Sequence, residues 1–269
     1  MSFEITANHA HVFPKNVRED GTVDNLLHYM DGLNVSRSVC FATLPRFLGP
    51  EDEETNTWLH KELKGKDRLV GFGVIDFEKG DLRGQVNRIS DFGFKGIKIH
   101  PALQHICVDG EKAFEVYEQA EKNGLFLTFH TGVHWSRVSD YQPWRFDEVA
   151  YHFPKLAFSM EHIGGYCYFN ETMAVLINNA RPGQAPRVYG GFTTIFFREG
   201  KHKLWYLSEQ QRHDVIWLLG AEYVIYGMDY PYNRMEENKM AIESIMNMDI
   251  TDEEKQLILG GNLKRALNI

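Results

Sequence analysis

His9 and His11 stand two residues apart in the segment I-T-A-N-H-A-H-V-F, residues 5–13, whose composition reads as a first strand. Side chains alternate between the two faces of a strand, so both imidazoles fall on one face. Imidazole nitrogens ligate zinc, manganese or iron(II), and a pair on one face supplies half of a metal site. A polar strand end satisfied by hydrogen bonds would carry the same pair, so other residues must decide. They stand in K-G-I-K-I-H-P (Lys98, His100), L-T-F-H-T-G (His130), S-M-E-H-I-G-G (Glu161, His162) and Y-G-M-D-Y-P-Y (Asp229). Each closes a short apolar run. Packing explains one or two such residues, but not ligating groups at the ends of four or five separate runs.

The runs that must position them read as strands over 4–12, 36–41, 69–75, 96–100, 125–130, 156–161, 187–190 and 223–227, each rich in β-branched or aromatic residues and bounded by turn residues. Helical patterns lie between them at 23–33, 53–63, 112–122, 144–152, 172–179 and 208–220. Asn123-Gly124 and Pro154 act as stop signals, and Thr251 with Glu254 forms a capping box for a last long helix. Eight strand–helix units predict a single-domain (β/α)8 TIM barrel spanning 1–269, a fold of about 250 residues with its active site at the C-terminal strand ends. An open doubly wound sheet would want a Gly-rich phosphate turn after the first strand, where this chain has His9, His11 and Pro14.

Composition narrows the partners. The net charge of -8 comes without any basic block, which argues against nucleic acid. No apolar run approaches the length of a membrane span, and the N-terminus lacks the charged start and apolar core of a signal peptide. Three widely spaced cysteines form no zinc-finger pattern and suggest reduced thiols, so a cytoplasmic protein is expected.

Taken together, H-A-H at 9–11, F-K-G-I-K-I-H-P at 94–101, F-H-T-G at 129–132, E-H-I-G-G at 161–165, Y-G-M-D-Y-P at 226–231 and G-N-L-K-R-A-L at 261–267 resemble the amidohydrolase superfamily. Within it, they resemble the amidohydrolase-2 branch of metal-dependent hydrolases and decarboxylases related to aminocarboxymuconate semialdehyde decarboxylase. The resemblance implies a divalent ion, Zn2+ first and Mn2+ or Fe2+ otherwise, with His9 and His11 as the first-strand pair and His130 as the fifth-strand ligand. It makes His162 a second-metal ligand or a polarising, proton-transferring group, and Asp229 a metal contact that takes a proton from the attacking water. Many members carry Asp two residues before the first histidine, where this chain has Ala7. Lys98 matches the lysine that bridges two metals when carboxylated; it could equally bind a substrate anion or pair with a carboxylate.

For substrate contact, Arg46 offers a planar fork for a carboxylate, with a solvated loop arginine as the alternative. His100 lines the pocket or packs beneath it. His134 and Trp135 form a substrate wall or an exposed loop, and Glu161 orients a neighbouring imidazole. His60, His105, His152, His202 and His213 read as surface or structural residues.

The expected activity is hydrolysis of an amide, ester or lactone in a small carboxylated molecule, with Asp229 as proton acceptor and His162 stabilising negative charge. The alternative is non-oxidative decarboxylation of an aromatic or unsaturated acid on the same site. A metal-free binding barrel is the reading from a different class. A homodimer is left open.

Overall fold

The computed structural model describes residues 3–269. Eight strands follow one another around a closed barrel, every neighbouring pair parallel: β1 (Ile5–His11), β2 (Val35–Phe41), β3 (Leu69–Val74), β4 (Gly96–Ile99), β5 (Phe126–His130), β6 (Phe158–Glu161), β7 (Val188–Thr193) and β8 (Val224–Tyr230), which returns to β1. A helix follows each: α1 (Val23–Gly32), α2 (Thr55–Glu62), α3 (Leu82–Asp91), α4 (Glu111–Lys122), α5 (Arg145–His152), α6 (Gly165–Asn179), α7 (Glu209–Leu219) and α8 (Met235–Met246). Two short helices, α9 (Asp252–Gln256) and α10 (Asn262–Leu267), complete the chain. This is a (β/α)8 TIM barrel in a single domain. Among the described residues, no helix is long and apolar enough to cross a membrane.

The strands read as near-continuous apolar runs because both of their faces are covered; β5 and β8 are buried at every residue. The helices bury one stripe. In α4 it is Ala113, Val116, Tyr117 and Ala120, at the spacing of one helical face. Helices α3 and α8 are additions to the sequence reading. Their stripes are thin: α3 buries Leu82, Gln85, Val86 and Ile89 around an early Gly84. Helix α6 begins at Gly165 rather than Thr172, at the second of two glycines that both hold a positive φ.

The capping box is present: Thr251 Oγ1 accepts from Glu254 N, and Glu254 Oε2 accepts from Thr251 N. The long helix expected behind it is interrupted by a wide turn, Leu257–Gly261. There Gly260 passes against β1, where a Cβ would lie 2.7 Å from Thr6 N. That close approach breaks the helix and sends α10 onto the barrel.

A barrel interior is packed rather than hollow. Here Phe41, Phe72, Phe126 and Tyr189 form a chain of tilted rings with centroids 5.9, 6.2 and 5.9 Å apart. Leu263 and Leu267 of α10 join this cluster, close to the first residues of β5, β7 and β8. The N-terminal end of the barrel is thereby plugged, and the open volume lies at the other end.

Candidate metal centre and cavity

Strand β1 does not alternate strictly. Its pairing with β2 passes from Ala7↔Ser38 to Ala10↔Cys40, one residue more on β1 than on β2. The pairing of β1 with β8 passes from Asn8↔Gly227 to Ala10↔Tyr230, one residue more on β8. These bulges centre on His9 and Asp229, whose φ angles are +67° and +52°. His162, just past the end of β6, has φ +65°. Left-handed backbone costs a non-glycine residue about 1–3 kcal/mol, and bulges of this kind re-aim side chains beside functional sites. Here they turn both Asn8 and His9 into the barrel, where strict alternation would separate them.

Glu161 receives both. Its Oε1 accepts from Asn8 Nδ2 at 2.9 Å and from Ser159 Oγ at 2.5 Å. Its Oε2 accepts from His9 Nδ1 at 3.1 Å and from Thr193 Oγ1 at 2.5 Å. With its proton held at Nδ1, His9 presents the Nε2 lone pair. On β7, Gly191 leaves the space that the Glu161 carboxylate fills.

His9 Nε2 and His11 Nε2 each lie 3.5 Å from Asp229 Oδ1. Asp229 Oδ2 is tied down by Thr194 Oγ1 at 2.8 Å. Ligands at zinc distances of about 2.0–2.1 Å in a tetrahedron stand about 3.4 Å apart. The two nitrogens and the carboxylate oxygen therefore have the chemistry and spacing of metal ligands, and they form the one such group found among the described residues. His130 lies outside it. Its ring stacks on His100 at 3.9 Å and 7° and comes within 4.8 Å of His162, and its Nε2 is buried without a partner.

Lys98 is buried with Nζ 3.3 Å from His9 Nε2 and 5.0 Å from the Phe41 ring centroid. Burial pushes its amine down to about 8, against the pull of Glu161 and Asp229. Burial, followed by the charge of Lys98, holds His9 well below the usual imidazole range. Burial also opposes ionisation of Asp229, but the neighbouring imidazoles of His9 and His11 outweigh it and keep the carboxyl well below its usual range.

His162 Nδ1 lies 2.8 Å from Thr193 O, so that nitrogen carries the hydrogen and Nε2 the lone pair. Burial, then His9, pushes its pKa down to about 3. The negative-charge-stabilising role expected of His162 needs a hydrogen at Nε2. This geometry offers a proton acceptor there instead.

These groups line a cavity of about 420 Å3 together with His100, His134 and Trp135, and with Lys201, His202 and Trp205 from the loop after β7. One expectation is corrected. Arg46 does not line the cavity: it is exposed, and its Nη1 donates to Leu103 O at 2.8 Å, which draws the guanidinium onto the loop after β4. Of the two readings of His202, surface or structural, the structural one holds. His202 is buried in the cavity wall, with Nε2 3.2 Å from Tyr232 O. Trp205 escaped the sequence reading altogether. Its indole lies 5.2 Å from the His162 ring and 5.8 Å from that of His134, nearly parallel to both. The signal for this loop was its position after a barrel strand. It was lost because β7 runs on to Thr193, past the predicted end at 190.

A parallel eight-stranded barrel with two histidines on β1 and an aspartate on β8 converging at its mouth defines a metal-site barrel of the amidohydrolase kind. The family model described as Amidohydrolase matches residues 9–269, and the chain belongs to that family, in its amidohydrolase-2 branch. No curated protein sequence matches the chain significantly. Among solved structures it is similar to an uncharacterised TIM-barrel protein from Bordetella bronchiseptica (TM-score 0.75, 18% identity, 98% of each chain covered). It is also similar to 5-carboxyvanillate decarboxylase from Sphingomonas paucimobilis (0.71, 16%, 100% of each chain). A third is a Pseudomonas putida protein provisionally described as a 2-pyrone-4,6-dicarboxylic acid hydrolase (0.71, 17%, 100% of this chain and 98% of that one). At these identities the likeness is one of fold.

Proposed function

We propose that the protein is a metal-dependent hydrolase of small carboxylated amides, esters or lactones. The observation that carries this reading is the convergence of His9 Nε2, His11 Nε2 and Asp229 Oδ1 at ligand spacing, with the far sides of His9 and Asp229 already fixed by Glu161 and Thr194. These three residues would hold one divalent ion, with His130 Nε2, buried and unpartnered, as the further donor facing the same cavity. Such an ion would supply Lewis-acid polarisation and lower the pKa of a water toward about 7.

The protein groups divide the remaining work. Asp229 is engaged through both oxygens, so the free proton acceptor is His162 Nε2. It takes a proton from the attacking water and returns it to the leaving group. With Nδ1–H held on Thr193 O, Nε2 is the nitrogen left free to take the proton and give it back. Trp205 fixes the ring from its face. The cavity walls are largely aromatic and imidazole.

Decarboxylation is the rival reaction on the same side chains, and decarboxylases and hydrolases both stand among the structurally similar proteins. The deciding experiment measures bound metal by elemental analysis after purification without added metal. It then compares ester, lactone and amide hydrolysis with carbon dioxide release from benzoate- and muconate-like acids. The proposal expects about one equivalent of metal per chain and hydrolysis. Less than about a tenth of an equivalent, with no activation by zinc or manganese, overturns it. Carbon dioxide release alone moves the protein to the lyases.

A further inference from the structure

Ring hydrogens distinguish the histidines of the cavity. His9 and His162 each spend their hydrogen on a protein acceptor and turn a lone pair to the site. His100 is wired the opposite way. Its Nδ1 accepts the backbone N–H of Leu103 at 3.3 Å. A nitrogen that accepts carries no hydrogen, so the ring hydrogen of His100 sits on Nε2. Nε2 has no hydrogen-bond partner among the described residues and opens onto the cavity that the largely buried ring lines. That leaves one N–H donor aimed into the cavity with no protein acceptor, free to be taken by a ligand oxygen.

The ring is also held in place. It stacks on His130 at 3.9 Å. The backbone N–H of His100 donates to Gln104 Oε1 at 2.7 Å, and Gln104 Nε2 in turn donates to Ile75 O. Arg46, turned away from the cavity, clasps the carbonyl of the same Leu103 whose N–H fixes the tautomer. A side chain braced by three strand ends and a neighbouring loop is preorganised for recognition.

The charge in the cavity indicates what it receives. Three lining residues carry formal charge, Lys98 and Lys201 against Asp229. A divalent ion held by His9, His11 and Asp229 would add to this positive excess. An oxygen acceptor entering this field is favoured when it is anionic.

We infer that His100 is the substrate-recognition donor of this cavity, its Nε2–H receiving a carboxylate oxygen while Arg46 acts only through Leu103. This deepens the proposed function, on which it rests, by assigning the residue and tautomer that read the substrate's acid group.

The test uses benzoate as the probe and benzamide as its neutral counterpart. Long-range proton–nitrogen NMR of ring-labelled protein should show the Nε2–H tautomer at His100, with its signal moving on benzoate addition. His100→Phe keeps the ring that stacks on His130 and removes the donor. It should weaken benzoate binding about ten- to hundredfold while metal uptake is retained; His100→Gln, which keeps an N–H, should recover part of the loss. Benzamide should bind more weakly than benzoate. An Nδ1–H tautomer, equal benzoate affinity in His100→Phe, or no benzoate binding by the native protein below about 10 mM overturns the assignment. Failure of metal uptake by the native protein instead overturns the proposed function, so the two readings fail separately.

Discussion

Glu161 Oε2 accepts the Nδ1 hydrogen of His9 at 3.1 Å, and the bond crosses the barrel interior from β6 to the non-adjacent β1. The carboxylate that many look-alikes carry two residues before the first histidine is Ala7 here. Glu161 provides a carboxylate against the same imidazole from the far wall. Such partners fix the tautomer and basicity of a ligand histidine, and their loss costs about 10- to 100-fold in metal affinity. Glu161→Gln should weaken zinc binding by that order in chelator competition. Gly191→Ala, which crowds the same carboxylate, should shift affinity in the same direction. Unchanged affinity in both variants would separate Glu161 from the metal.

Asp229 depends on Thr194, whose hydroxyl donates to Oδ2 at 2.8 Å and accepts from Asn233 Nδ2 at 3.3 Å. Thr194→Val keeps the shape and removes the donor. The resulting unpaired carboxylate oxygen should cost about 1–3 kcal/mol, visible in denaturant titration. Asp229→Asn removes the ligand charge itself, and retained metal at native affinity in that variant would exclude Asp229 from the centre.

The buried imidazoles set a direction for acid stability. His162 is held near 3 in the fold and titrates near 6.5 in the unfolded chain. Below 6.5 the unfolded chain therefore takes up a proton that the native state refuses. Stability from this group is complete above about pH 6.5 and falls by about 1.4 kcal/mol per pH unit below it. His9, His100 and His130 are also lowered by burial and act in the same sense. Metal-free protein should show an unfolding free energy that declines below about pH 6.5 more steeply than one proton requires. A free energy unchanged down to pH 5 would mean that the rings are solvated.

Much of this was legible in the sequence, for definite reasons. All eight strands are marked by short, largely apolar runs bounded by turn residues, and their boundaries move by no more than three residues in the structure. His9, His11 and Asp229 are visible because ligating side chains at strand ends are out of place in a core. What escaped has physical causes too. The bulges at His9 and Asp229 rest on left-handed backbone at residues with no glycine or asparagine to announce it, so a two-residue period could not show Asn8 turning inward. Which nitrogen of His162 or His100 carries hydrogen depends on carbonyls and amides from Thr193 and Leu103, which no local motif encodes. Arg46 carries the same charge in a clamp as in a brace, and only the proximity of Leu103 O decides.

Lys98 offers the sharpest test of the metal count. Its Nζ lies 3.3 Å from His9 Nε2, the lone pair assigned to the ion, and its cationic form faces the Phe41 ring. Like charges at such close range repel, so an ammonium here would oppose a cation held at His9 Nε2. Lys98→Met keeps the length and contact with Phe41 while removing charge and donor. For a single-ion centre it should tighten zinc binding and leave the stoichiometry at one. A lysine that bridges two ions after carboxylation would behave in the opposite way: the same substitution would lower both affinity and metal content. Elemental analysis and chelator competition on the two proteins side by side distinguish these outcomes, and a fall in both quantities would overturn the single-ion assignment.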